Sequence, residues 1–221
     1  MKNTNLTELV FILDRSGSMG GLESDTIGGF NSMLAKQQTE QGDCRITTVL
    51  FDNEYEVLHD RIDIKAVSQI TGCEYFVRGS TALLDAVGKT INKIGGVQKN
   101  TAEEYRADKV LFIITTDGME NASREFDYDR IKSMIERQKS EYKWEFIFLG
   151  ANIDAVETAN RFGIAKDRAQ NFHNDSEGIK LNYNILSDTV LQYRRSEKCA
   201  PLPASWSEAI EDDFKKRKKK K

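Results

Sequence analysis

Apolar residues in this chain come in two arrangements: short unbroken runs, and stretches in which they recur every three or four positions. The first run covers residues 9–13. It is too short for a helix and does not alternate with polar residues, which predicts a strand buried on both faces. Ile27, Phe30, Met33 and Leu34 then share one helical face over residues 25–41, with Ser24 or Asp25 as N-cap. Residues 46–51 form a second strand, rich in β-branched positions. Asp52 and Asn53 signal a turn, and residues 55–58 follow as a short strand. That pair predicts a hairpin, and with it one antiparallel edge strand.

Residues 62–78 show no period beyond one short helical turn. From Thr81 onward Leu84, Val87, Ile91 and Ile94 form a helical stripe, which Gly95 and Gly96 are expected to stop. Thr101 and Glu104 have capping-box spacing and predict a brief helix. The strongest strand spans residues 109–116 around an uninterrupted Val110, Leu111, Phe112, Ile113, Ile114, and it runs into Asp117 and Gly118. Tyr128, Ile131, Ile135 and Gln138 mark the next helix, residues 144–149 a strand, and Val156, Ala159 and Phe162 a further helix. Residues 169–172 make a short last strand. Ile179, Tyr183, Leu186, Val190 and Tyr193 predict a helix over 176–197.

Strands and helices thus alternate along the chain. This predicts a doubly wound α/β fold: a mostly parallel central sheet of about six strands, one of them an antiparallel edge, with helices on both faces. Both prolines, Pro201 and Pro203, follow the last helix, so the folded domain is placed at 1–198. Residues 199–221 read as an extension, with a short amphipathic segment around Trp206, Ile210 and Phe214 and a disordered basic tail at 215–221.

Composition narrows the function classes. Seven of the 32 Lys and Arg lie in residues 215–221, which leaves residues 1–214 with 25 against 35 Asp and Glu, a formal charge of −10. That body is a poor nucleic-acid surface; only the tail offers one. No apolar run approaches the roughly 20 residues of a membrane span. The polar N-terminus leads directly into a strand, which predicts a cytoplasmic protein. Three cysteines without CxxC spacing fit neither a zinc site nor a disulfide framework. His59 and His173 stand isolated.

The chemistry gathers in three loops. Asp14, Ser16 and Ser18 follow the first strand; Gly79, Ser80 and Thr81 open a helix; Asp117, Gly118, Met119, Glu120 and Asn121 follow the strongest strand. Ligands of open α/β sheets bind beyond the carboxyl ends of the strands. Carboxylate and hydroxyl oxygens are hard donors suited to Mg²⁺, Mn²⁺ or Ca²⁺. Taken alone, Asp14 and Ser16 serve equally as turn and cap residues. An enzymatic alternative is a Mg²⁺-dependent phosphotransferase of the haloacid-dehalogenase type, with Asp14 as nucleophile. Two residues later, however, Ser16 stands where that chemistry needs a carboxylic acid. No G-x-S-x-G elbow makes Ser16 a hydrolase nucleophile.

Asp14-x-Ser16-x-Ser18, a threonine in a glycine-containing loop and Asp-Gly after a buried strand together resemble a von Willebrand factor A domain over residues 6–195. The resemblance implies a complete metal-ion-dependent adhesion site. Ser16 and Ser18 would bind the metal through their hydroxyls, Thr81 directly or through water, and Asp14 and Asp117 chiefly through bound waters. Ser80 departs from the glycine common in the family. The ion would be Mg²⁺, or Mn²⁺ or Ca²⁺, and the partner a protein that supplies an Asp or Glu. Arg15, Met19, Met119 and Asn121 would form the rim. The segments at 114–121 and 25–31 look like stand-alone cytosolic bacterial or phage members, including those of tellurite- and stress-resistance systems. Such a protein is expected to be a monomeric, non-enzymatic binding module.

Overall fold

The structure, a computed structural model, describes residues 5–198 and 200–218. Residues 1–4, Cys199 and 219–221 lie outside the described residues, and with them the polar N-terminal stretch and the end of the basic run.

Strand β1 (Thr7–Asp14) is flanked by β2 (Cys44–Phe51) and β4 (Lys109–Thr116), parallel to both. The antiparallel edge is β3 (Tyr55–Asp63), and β5 (Glu145–Gly150) and β6 (Ala169–Asn171) complete the order β3-β2-β1-β4-β5-β6. The six expected strands are all present. Alternation sorts their side chains. Leu9, Phe11, Leu13, Leu111 and Ile113 face one layer, and Val10, Ile12, Val110, Phe112 and Ile114 the other.

The first layer holds α1 (Glu23–Gln38) and α5 (Ser176–Arg195). The second holds α2 (Leu83–Asn100), α3 (Tyr128–Tyr142) and α4 (Ala155–Arg161). Helices α1 and α5 meet at Gly29, where an added Cβ would fall 2.2 Å from the Tyr183 ring. A side chain there would push the two helices apart. Each fully buried aliphatic or aromatic side chain contributes roughly 1.5–3 kcal/mol to such layers.

Four local expectations are corrected. Helix α1 starts at Glu23 after Leu22, whose side chain caps nothing, while Asp25 accepts a hydrogen bond from Ser176. Helix α2 does not stop at Gly95 and Gly96 but runs to Asn100. Its buried stripe through Ile91 and Ile94 outweighs the ~1 kcal/mol that a glycine costs a helix. The capping box near Thr101 does not form; Thr101 bonds back to the Val97 carbonyl, and a single 3-10 turn spans Glu103–Tyr105.

The fourth correction concerns the C-terminus. Leu202, Trp206 and Ile210 are buried in the first layer's core, so the folded unit continues past the prolines. The basic stretch is not disordered as far as Lys218: helix α6 (Glu208–Lys218) carries it. Glu211, Asp212 and Asp213 stand one turn before Lys215, Lys216 and Arg217 and pair with them, and cations suit the carbonyl end of a helix. Arg217 also reaches Asp175 at 3.0 Å and Glu177 at 3.1 Å, which fastens α6 to the start of α5. No helix among the described residues is long and apolar enough to cross a membrane.

Candidate metal centre

The carboxyl end of β1 lies between those of β2 and β4, at the point where the chain's crossovers change direction. Asp14 closes β1 and is buried. One of its oxygens accepts the Ser16 N–H at 2.7 Å and the other accepts the Thr116 hydroxyl at 2.6 Å. Beneath it the Tyr75 hydroxyl donates to the Asp14 carbonyl at 2.6 Å. Burial pushes the Asp14 carboxyl up to about 6, against the pull of these donated hydrogen bonds. The charge therefore has neutral partners and no cation.

Ser16 is extended, so its side chain falls on the same side as that of Asp14, and the 3-10 turn Gly17–Met19 brings Ser18 back beside it. The Ser16 and Ser18 hydroxyl oxygens are hydrogen-bonded at 3.1 Å, and Ser18 donates to Asp117. Asp117 also accepts from Asn174 Nδ2 at 2.9 Å, and burial raises its pKa. Thr81 reaches the same place from the second loop. A Cβ added to Gly118 would lie 3.1 Å from Thr81 Oγ1, 3.2 Å from Ser18 Oγ and 3.9 Å from Ser16 Oγ. Three hydroxyls thus converge around Gly118, where a side chain would crowd two of them, and Asp117 is bonded to one of the three. The structure brings Asp14, Ser16, Ser18, Thr81 and Asp117 together.

These donors fit a hard divalent cation. Among the described residues no group of three or more His, Cys, Asp and Glu side chains is placed for a metal. The oxygen cluster has only two carboxylates, so its other donors are neutral hydroxyls, a set that suits Mg²⁺ or Ca²⁺ rather than soft metals.

The three loops are fixed to one another. Gly79 has φ +67, and a Cβ there would fall 2.0 Å from Asn53 Oδ1, so this turn requires glycine. The Gly17 N–H donates to the Gly79 carbonyl at 3.2 Å, and the Arg78 N–H to the Arg15 carbonyl at 2.9 Å. In the third loop the Glu120 carboxylate accepts the backbone N–H groups of Leu84, Ala122 and Ser123. Asp85 accepts those of Arg124, Glu125 and Phe126. The site is thus held in place before any ligand arrives.

The rim departs from the sequence reading. Arg15 is fully buried rather than at the rim: it points away from Ser16, with Nε 2.9 Å from Asp52 and a terminal nitrogen 2.8 Å from Glu56. Extended backbone at 14–16 forces this, since neighbouring side chains point to opposite sides. Met19 is also buried, at the end of the 3-10 turn. Met119 is 74% exposed. Asn121 is exposed and accepts the Thr81 N–H at 2.9 Å, so it holds the second loop against the third.

Sequence reasoning gave no place in the site to Asp52, Asp85, Thr116, Glu120 and Asn174, although it named Glu120 in the third loop and Asp52 in a turn. Thr116, directly before Asp117, was the most legible of these. Asp52 and Asn174 act through side chains, and Asp85 and Glu120 through backbone N–H groups, with partners mostly far along the chain that no spacing signals. His59 lies against Thr48 Oγ1 at 3.0 Å, and burial lowers its pKa. Burial pushes the Cys44 thiol up to about 12, so it is no nucleophile at neutral pH.

Solved structures share this architecture. The von Willebrand factor type A protein from Catenulispora acidiphila matches 85% of the chain at 12% identity with a TM-score of 0.58. The vWF domain of the type V pilus tip protein Mfa5 from Porphyromonas gingivalis matches 86% at 11% identity and 0.58. Manganese-loaded TRAP protein from Plasmodium vivax matches 80% at 17% identity and 0.57. The chain has the von Willebrand factor A fold. It spans 43% of the Catenulispora protein, 97% of the Mfa5 domain and 71% of TRAP. No protein-family model and no curated protein matches the sequence. Helix α6 is tied to the start of α5, and its Phe214 and Lys218 line a groove together with Met119 and Asn174 beside the candidate centre.

Proposed function

We propose that this chain is a divalent-cation-dependent protein-binding module. The observation that carries the proposal is the convergence of the Ser16, Ser18 and Thr81 hydroxyls beside Gly118, with Asp14 and Asp117 behind them. These five residues would hold the ion, Mg²⁺ or alternatively Mn²⁺ or Ca²⁺. A cation held mostly by neutral hydroxyls keeps strong attraction for an incoming carboxylate, here the Asp or Glu of a partner protein. The residues' own task is positional. Asn121 and Glu120 fix Thr81 and the start of α2, and Thr116 and the Ser16 N–H hold Asp14.

The environment of Asp14 speaks against the phosphotransferase alternative. Two residues after it the Ser16 hydroxyl stands where that chemistry needs a carboxylic acid, and a serine cannot protonate the leaving group. The proposed setting is a cytoplasmic bacterial or phage stress-response system resembling tellurite resistance, with the chain acting as a monomer.

The test is affinity capture on the immobilised chain from a lysate of its source in Mg²⁺, with EDTA elution and identification of the released proteins. Capture is expected to vanish in EDTA and with Asp117→Ala, while circular dichroism shows the variant folded. Capture that survives EDTA sinks the proposal.

A further inference from the structure

A groove of about 540 Å³ lies beside the candidate centre, between the loop after β4, the segment entering α5, and α6. We propose that this groove seats the partner itself: a peptide segment that places an apolar side chain there, close in sequence to its metal-seeking carboxylate, followed by a second acidic residue. The inference rests on the function proposed above and adds what the partner must look like.

Groove and centre share a wall. Asp117 belongs to the centre, and two residues later Met119 lines the groove with a largely exposed side chain. Asn174 also lines the groove, and its Nδ2 donates to Asp117. The groove therefore adjoins the centre and is the neighbouring surface for a chain bound at the hydroxyl cluster. The opposite wall is Phe214 of α6, stacked on His173 with ring centroids 4.8 Å apart, and Ile153 and Phe172 add apolar surface between.

Three features of the groove are unmet within the described residues, and one kind of ligand meets all three. The apolar surface of Met119, Ile153 and Phe214 calls for an apolar side chain. Asn174 Oδ1 lies just behind the groove surface without a hydrogen-bond donor, and a small turn of this half-buried side chain offers it to a peptide N–H. Lys218 forms no ion pair among the described residues and lies 5.9 Å from the Phe214 ring, whereas Lys215, Lys216 and Arg217 are each paired to carboxylates. An acidic side chain completes it. Asp154, also in the lining, already accepts the Glu157 N–H at the start of α4. The cationic turn of α6 is thus a local exception on an acidic body, placed where an acidic segment would leave the centre.

The test is selection of a random phage-displayed peptide library on the immobilised full chain in Mg²⁺ with EDTA elution. Winners are expected to share an Asp or Glu, a Leu, Ile, Met or Phe within a few positions of it, and a second acidic residue. A synthetic winner should bind Met119→Ala at least tenfold more weakly, and Lys218→Glu should abolish the preference for the second acidic residue. Neither side chain supports the core, so folding is not at stake. Winners that share only the metal-seeking acid, or affinities within twofold on both variants while EDTA still releases the peptide, overturn the groove and leave the metal-dependent reading standing. An absence of EDTA-eluted peptides overturns both.

Discussion

Asp14 and Asp52 stand side by side, one closing β1 and the other following Phe51, its neighbour in register. Both are buried, yet their surroundings are opposite. Asp52 lies between two guanidiniums, with Arg15 Nε at 2.9 Å and Arg78 Nε at 2.8 Å. Burial works to raise its pKa, but the Arg78 and Arg15 contacts hold it below the ordinary carboxylate value. Asp14 meets only N–H and O–H donors, and its pKa is pushed up. A carboxylate already neutralised by arginines is a structural tie. One buried with neutral donors keeps its charge available to a cation. The same residue type thus does two jobs, decided by which cations the fold delivers.

The largest expected effect comes from breaking the tie. Asp52→Ala leaves Arg15 buried with only Glu56 opposite, and removing one member of a buried pair costs about 3–5 kcal/mol. Urea denaturation measures this, and a loss below about 1 kcal/mol would show that Asp52 is not the tie described. Next comes the open carboxylate. In EDTA, Asp14→Asn should match the parent in urea stability, because its shape is kept and a buried charge is removed. With Mg²⁺ at a hundred times its dissociation constant the parent should gain about 2.7 kcal/mol and the variant none. Equal gains would refute the assignment of Asp14. The smallest effect is Tyr75→Phe, which deletes the hydroxyl donated to the Asp14 carbonyl and should cost about 1 kcal/mol in the same assay, with the Mg²⁺ gain retained.

The sheet was legible because uninterrupted apolar runs such as 110–114 are too short for helices and alternate along the chain with helical stripes. The five candidate oxygen donors could be named because three polar loops follow such runs or open a helix and together resemble the motif of a von Willebrand factor A domain. The arginine-paired half was not. Arg15 sits inside the very motif that was read, but its partners come from elsewhere, Asp52 from the turn after β2 and Glu56 from β3, and only the pairing of strands brings them near. Helix α6 was misjudged for a related reason. A run of lysines repels itself until acidic residues one turn earlier are counted, and Asp175 and Glu177 come from another helix.

The central place of β1 has a consequence for synthesis. Leu9 pairs with Ile46 on one side and Leu111 on the other, separations of about 37 and about 102 residues. At a ribosomal rate of about 5–20 residues per second, β1 waits roughly 5–20 s for its second neighbour. The arginine-tied half, complete by residue 78, can therefore assemble on the nascent chain first. The oxygen cluster can close only after Asp117 has emerged, and until then one edge of the most apolar strand pair is open to misassociation.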